Sequence, residues 1–138
     1  MIAIDAGFLF ALGDARDAWH VRALRQVPTL EEGWVTTWPV LAEATHMLAK
    51  RLGPAFAASL MDDVASGGMD VWDPPRAVSE RVPSMMRKYA SLPMDLADAS
   101  LVLLAEHLGH GRILSTDERD FKTYRWKQRK PFVNLLAA

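Results

Sequence analysis

A chain of 138 residues, 50% hydrophobic and 24% charged, is sized for one domain with a real core, which excludes a disordered tail or a low-complexity array. The 16 Lys and Arg nearly balance the 17 Asp and Glu, so a net charge of -1 gives the whole molecule no strong field toward nucleic acid or an anionic membrane, and any polyanion site must be local. With no cysteine, disulfide frameworks, thiolate metal sites and Cys nucleophiles are excluded, and a metal would be held by oxygen or imidazole.

The chain opens on Met1-Ile2-Ala3-Ile4-Asp5, apolar but charged by the fifth position. No uninterrupted apolar run approaches the roughly 18 residues of a membrane span, and the start lacks the basic and long apolar regions of a signal peptide. A cytoplasmic protein without membrane contact is the expectation. The first strand is predicted at Ile2–Asp5 and the first helix at Asp14–Arg25. A second strand, Trp34–Thr37, leads into a helix at Val40–Arg51, which Pro39 opens and Gly53-Pro54 stops. A helix at Ala55–Ala65, the Ser66-Gly67-Gly68 turn and a third strand at Met69–Trp72 follow. A helix is then predicted at Ala77–Tyr89, with Pro83 inside it, and another at Leu96–Leu108, closed by Gly109. Strands at Arg112–Ser115 and Phe132–Leu135 complete the pattern. Short apolar strands separated by helices indicate a parallel sheet covered by helices on both faces. No repeat or linker interrupts the chain, so residues 1–138 read as a single domain.

Four carboxylates fall where a parallel sheet keeps its ligands, at the carboxyl ends of strands and the first turns of the helices that follow. Asp5 ends the first strand, Glu43 lies on the first turn of the helix after Trp34–Thr37, and Asp117 follows the fourth strand in Leu114-Ser115-Thr116-Asp117. Asp98 stands one turn into the largely apolar helix after Pro93, with no basic partner within a turn. Taken singly, Asp5 and Asp117 read equally as caps, and Glu43 as an acid favouring a helix N-terminus. Taken together at one sheet edge, the four favour a joint role. Close carboxylates repel, and burying them unpaired costs several kcal/mol. A hard divalent cation such as Mg²⁺ or Mn²⁺ removes that cost and brings metal-assisted phosphodiester hydrolysis within reach.

In Met-Ile-Ala-Ile-Asp5-Ala, Val-Leu-Ala-Glu43-Ala, Leu-Ala-Asp98-Ala-Ser-Leu and Ser-Thr-Asp117-Glu-Arg-Asp-Phe121, the chain resembles the PIN domain family, and within it the VapC-type ribonuclease toxins. The resemblance spans Ile2 to about Tyr124. It implies an α/β fold, a three-layer α/β/α sandwich with a five-stranded parallel sheet. It further implies Mg²⁺ (or Mn²⁺) at the acidic cluster and endonucleolytic cleavage of RNA. By that match Asp5, Glu43, Asp98 and Asp117 are the catalytic, metal-binding acids and Thr116 a supporting polar residue. Asp95, one turn before Asp98, and Asp120, three residues after Asp117, stand as alternative or supporting ligands beside the alternative of solvated helix-end charges. The resemblance also implies a homodimer and, for the toxin branch, an antitoxin whose C-terminal segment reaches toward the acidic site. The PIN fold serves in RNA maturation and decay as well.

Six of the 16 basic residues, Arg119, Lys122, Arg125, Lys127, Arg129 and Lys130, fall between positions 119 and 130. These cations are candidates to neutralise RNA phosphates, with Trp126 stacking on an unpaired base, which would set RNA beside Asp117. A solvated loop with Trp126 packed on the last strand carries comparable weight. His46, one turn after Glu43, has a spacing that permits joint metal binding, although a packed or solvated helix histidine is commoner. His20, His107 and His110 read as helix-surface or helix-end residues, and Trp19, Trp34, Trp38 and Trp72 chiefly as core. No Gly-rich phosphate loop and no Ser-His-Asp arrangement stands out. The sequence therefore favours a Mg²⁺- or Mn²⁺-dependent endoribonuclease, the toxin of a toxin–antitoxin pair. The alternative is a non-catalytic PIN-like RNA- or protein-binding module. A phosphatase-like reading is weaker, because Asp5-Ala6-Gly7 lacks the second Asp that one large phosphatase class requires.

Overall fold

A computed structural model describes residues 1–137. Its strands are β1 (Ile2–Ile4), β2 (Trp34–Thr37), β3 (Asp70–Trp72), β4 (Arg112–Leu114), β5 (Arg125–Trp126), β6 (Lys130–Pro131) and β7 (Val133–Asn134). Five of them form one parallel sheet in the order β3-β2-β1-β4-β7, while β5 and β6 pair antiparallel as a separate hairpin. The helices are α1 (Ala6–Gly13), α2 (His20–Gln26), α3 (Trp38–Leu52), α4 (Pro54–Ala65), α5 (Val82–Lys88), α6 (Leu96–Leu108) and α7 (Glu118–Thr123). The sheet flanked by helices is the predicted three-layer α/β/α arrangement. From β1 the chain moves outward to β2 and β3 and then returns across the sheet to β4, so the strand order reverses between β1 and β4. Open parallel sheets bind ligands at such a switch point, outside the carboxyl ends of the strands.

Core positions follow from apolar runs that are covered on both sides. All three residues of β1 are buried, and in α6 Ala97, Ala99 and Leu101 to Ala105 are buried together. Removing that much apolar surface from water, at roughly 25 cal/mol per Å², is what holds α6 against the sheet. Gly109 ends it in the left-handed conformation at φ 79°, which glycine adopts without steric cost. Phe8 meets Trp34 edge-on at 5.7 Å, and Tyr124 is boxed by Tyr89 and Phe121 at 5.0 and 5.2 Å. Among the described residues, no helix is long and apolar enough to cross a membrane.

Several predicted boundaries move, each for a local reason. The helix expected over Asp14–Arg25 begins only at His20, because the Asp14 and Asp17 carboxylates accept the backbone N–H groups of Arg16 and Trp19 and hold tight turns. Ala77–Tyr89 divides into a 3₁₀ segment, Arg76–Arg81, and α5, with Pro83 in the first turn of α5 where its missing N–H is harmless. Helix α3 starts at Trp38 with Thr37 as its cap, which puts Glu43 on the second turn and not the first. At that first helical position Trp38 is 50% exposed, so it is not core, whereas Trp72 is partly buried and stacks on His107 at 5.1 Å. Helices α1 and α7 and the β5–β6 hairpin lie outside the predicted elements.

Candidate active site

Asp5, Glu43, Asp95, Asp98, Asp117 and Asp120 all line one cavity of about 350 Å³ at the carboxyl edge of the sheet, together with Gly7, Val40, Met47, Thr116 and others. Sequence-distant acids meet because β1 and β4 are neighbours and both point their ends at this edge. Asp5 leaves β1 and caps α1, its Oδ1 accepting the Phe8 N–H at 3.0 Å. Asp117 leaves the β4 end and caps α7 by accepting the Asp120 N–H at 3.1 Å. Asp95 caps α6 by accepting the Asp98 N–H at 2.8 Å. Three helices thus start at the cavity, and their partially positive N-terminal ends offset part of the repulsion among the acids. Capping and membership of the acidic site are not alternatives here, because the same carboxylates do both.

Side chains outside the acid set fix its geometry. The Ser115 hydroxyl, fully buried, donates to Asp5 Oδ2 and accepts the Asp117 N–H at 2.9 Å, tying the ends of β1 and β4 together. Asn134 in turn holds Ser115, accepting its N–H at 3.2 Å and donating to its carbonyl at 2.9 Å. Across the cavity the fully buried Tyr124 donates its hydroxyl hydrogen to Asp98 Oδ2 at 2.8 Å. Gly7 lets α1 approach the site, since a Cβ there would lie 2.1 Å from the Thr116 hydroxyl oxygen. Neither Ser115, Asn134 nor Tyr124 stands out in the sequence as functional. The only available signal is a buried hydroxyl or amide in an apolar context, which needs a partner.

Burial raises the affinity of these acids for protons. Desolvation pushes Asp5 up to about 6, against the opposing bonds from Ser115 and Phe8, with the charges of Asp117 and Glu43 adding to the rise. Desolvation again leads at Asp98, raised to about 7, with the bond from Tyr124 opposing and Asp95, Asp117 and Asp120 contributing repulsion. Glu43 is raised by burial and then by the charges of Asp95 and Asp117, and Asp117 by burial and by Asp120. Carboxylates held at such cost are the mark of a site built for a counter-charge. Among the described residues, no three Asp, Glu or His side chains stand at ligating separation as they are. The donor chemistry nonetheless fits a hard divalent cation, because every charged side chain lining the cavity is a carboxylate. His46, exposed on α3, is not among the residues lining the cavity.

The basic segment divides in two. Arg119, on α7, sits beside the cavity, pairing with Asp120 at 3.1 Å and donating to the Leu92 carbonyl, whereas Lys122, in the last turn of α7, lines a separate hollow with Phe121 and Phe132. The hairpin instead packs at the opposite, amino edge, where the Lys127 N–H bonds Glu106 near the end of α6 and Trp126 lies against Gly111 just before β4. Trp126 is buried, its indole N–H given to the Pro131 carbonyl at 3.0 Å. Trp126 is therefore packed core and not the exposed ring that base stacking needs, and Lys127, Arg129 and Lys130 lie away from Asp117, at the amino end of β4.

The PIN domain family model matches residues 2–127. The chain belongs to the PIN domain family. Among relatives, ribonuclease VapC26 of Mycobacterium tuberculosis (strain ATCC 25618 / H37Rv) is 26% identical over 122 residues, which are 88% of this chain and 90% of the relative. The crystal structure of Mycobacterium tuberculosis VapC20, a sarcin-ricin loop cleaving toxin, is similar in fold with a TM-score of 0.79 at 22% identity, covering 86% of this chain and 92% of the other. The PIN domain match spans the elements carrying Asp5, Glu43, Asp98 and Asp117 and stops inside the hairpin, so the cavity lies wholly within the PIN domain.

Proposed function

We propose that this PIN domain is a metal-dependent endoribonuclease, the toxin of a VapC-type pair, with Asp5, Glu43, Asp98 and Asp117 as its metal-binding acids. One observation carries the reading: six carboxylates line a single open cavity at the sheet's switch point, four of them with raised proton affinity. When bound, Mg²⁺ or Mn²⁺ supplies Lewis acidity and offsets the charge that develops on a phosphodiester under attack. The protein's part is to hold the donors. Ser115 fixes Asp5 Oδ2 and Tyr124 fixes Asp98 Oδ2, so both carboxylates are oriented before anything binds. Each oxygen of Asp5 accepts one hydrogen bond and keeps a second lone pair for the cavity. Asp95, Asp120 and Thr116 line the same cavity as supporting polar groups. No side chain needs to act as a nucleophile.

The names of the two relatives, a ribonuclease and a sarcin-ricin loop cleaving toxin, support RNA as substrate. In the same reading an antitoxin protein restrains the enzyme, two copies pair, and the protein works in the cytoplasm. Purified protein incubated with single-stranded and hairpin RNAs should cleave with Mn²⁺ or Mg²⁺ and stop with EDTA. Folded, antitoxin-free protein that binds RNA without metal-dependent cleavage would instead be a non-catalytic PIN-like binding module. Tyr124→Phe keeps the ring and deletes the bond to Asp98. RNA turnover should fall by about 10- to 100-fold while the circular dichroism spectrum is unchanged, and unaltered turnover would remove Tyr124 from the site's support.

A further inference from the structure

Six cations form one side of the molecule between the acidic edge and the hairpin: Lys88, Lys122, Arg125, Lys127, Arg129 and Lys130. Their continuity is visible in shared contacts. Lys88 Nζ lies 5.2 Å from the ring of Tyr89, whose hydroxyl oxygen accepts the Arg125 N–H at 3.1 Å. The Arg125 guanidinium donates to the Lys122, Thr123 and Tyr124 carbonyls at the end of α7. Arg125 and Trp126 pair with Pro131 and Lys130 across the hairpin, and the Lys127 and Lys130 ammonium groups lie 5.8 and 4.9 Å from the Trp126 ring. The turn at Lys127 and Gln128, both in the left-handed region, carries Arg129 outward, and residues 127 to 130 are all exposed.

None of the six takes part in an ion pair among the described residues. The acid beside the hairpin, Glu106, is already committed to Arg81 and to the Lys127 N–H. In a chain with a net charge of -1, six unpaired cations joined through shared contacts make a local positive field. The band also has a direction. Lys122 stands on α7, the helix that Asp117 caps, whereas the Lys127 N–H bonds Glu106, eight residues along α6 from Asp98 and so about 12 Å down the helix.

We infer that this band is a track for the RNA backbone, holding the strand that flanks the cleaved phosphate and leading it from the acidic cavity over α7 to the hairpin. The inference rests on the ribonuclease reading for the end at the cavity, and it names the substrate class: RNA extending several nucleotides to one side of the scissile bond. The contacts are electrostatic and phosphate-directed, because the two aromatic rings in the band, Tyr89 and Trp126, are buried.

The test is fluorescence anisotropy in EDTA, with a labelled 20-nucleotide single strand and a dinucleotide, on the full chain and on Lys127→Gln/Arg129→Gln/Lys130→Gln. Loss of three phosphate contacts should lower the slope of log affinity against log salt by about 2, so raising salt from 50 to 200 mM should cost the variant about 20-fold less affinity than the parent. The dinucleotide should not distinguish the two proteins. Lys127→Arg/Lys130→Arg should keep the parent slope. If the triple variant does not fold, each single Gln substitution should remove about 0.7 from the slope. An unchanged slope for the long strand overturns the track and leaves the band to a protein partner. Parent protein that binds with the full slope but cleaves nothing with Mn²⁺ or Mg²⁺ would remove the ribonuclease reading and leave the track standing, so the two failures are distinguishable.

Discussion

Asp98→Asn is expected to abolish cleavage and to stabilise the protein at the same time. Removing one negative oxygen donor from the cavity should lower RNA turnover by on the order of 10²- to 10³-fold, the scale seen when a preorganised charge partner of a transition state is deleted. The amide still accepts the Tyr124 hydroxyl, so the local packing survives. What disappears is a carboxylate whose ionisation the fold resists, because burial and three neighbouring acids push Asp98 to about 7. Discounted for its partial contact with solvent, that resistance is worth about 2 kcal/mol at pH 8, or a melting temperature roughly 5–8 °C higher for the variant without divalent cation. The advantage should shrink as the pH falls through 7 and vanish below 3.8, where wild-type Asp98 is neutral in both states. Equal melting temperatures at pH 8 would mean that Asp98 is not held at a cost. Undiminished cleavage would remove it from the chemistry.

The second expectation concerns the wild-type protein across pH. Asp5 and Asp98 bind protons more tightly folded than unfolded, since their folded values, about 6 and about 7, lie above the ordinary 3.8. Their contribution to stability is therefore fully present below pH 3.8 and is lost as the pH rises through 6 and 7. Glu43 and Asp117 act in the same direction. For Asp5 alone, at about 1.4 kcal/mol per pH unit, ionisation costs the folded state roughly 3 kcal/mol. Thermal unfolding in EDTA should show a melting temperature that falls from pH 5 to pH 8. Mg²⁺ or Mn²⁺ at about 100 times its dissociation constant should restore about 2.7 kcal/mol at pH 8 and much less at pH 5, where protons already occupy the carboxyls. A melting temperature that is flat or rising with pH, or indifferent to cation at pH 8, would contradict the picture of four acids awaiting a counter-charge.

The acids were legible because the rule that gathers them is topological. Parallel strands put their carboxyl ends on one edge, so Asp5 and Asp117 could be placed together from the alternation of strands and helices alone. Asp98 was legible by contrast, as a charge in a helix whose neighbours are buried. The residues that orient them were not, since Tyr124 reaches Asp98 and Asn134 reaches Ser115 only through tertiary contacts. Helix α1 was hidden because Ala-Gly-Phe-Leu-Phe-Ala-Leu-Gly is apolar on nearly every side and so carries no periodicity. The basic run is only half legible: charge dominates its composition, yet Trp126 within it is core, and only Arg119 and Lys122 stand on α7 while Lys127, Arg129 and Lys130 lie on the hairpin at the other edge.

Two kinds of acid surround the cavity. Asp5, Asp95 and Asp117 begin helices, and any residue able to accept a backbone N–H, such as Asn or Ser, would serve that purpose. Glu43 caps no helix, and the one bond Asp98 accepts, from Tyr124, a neutral Asn would accept as well, so both charges are present at a cost to folding. A descendant released from any need for chemistry would keep small polar residues at 5, 95 and 117 for the sake of its architecture. It would lose its charge first at 43 and 98, so the loss of catalysis in such a lineage would be written in charges that its stability never required.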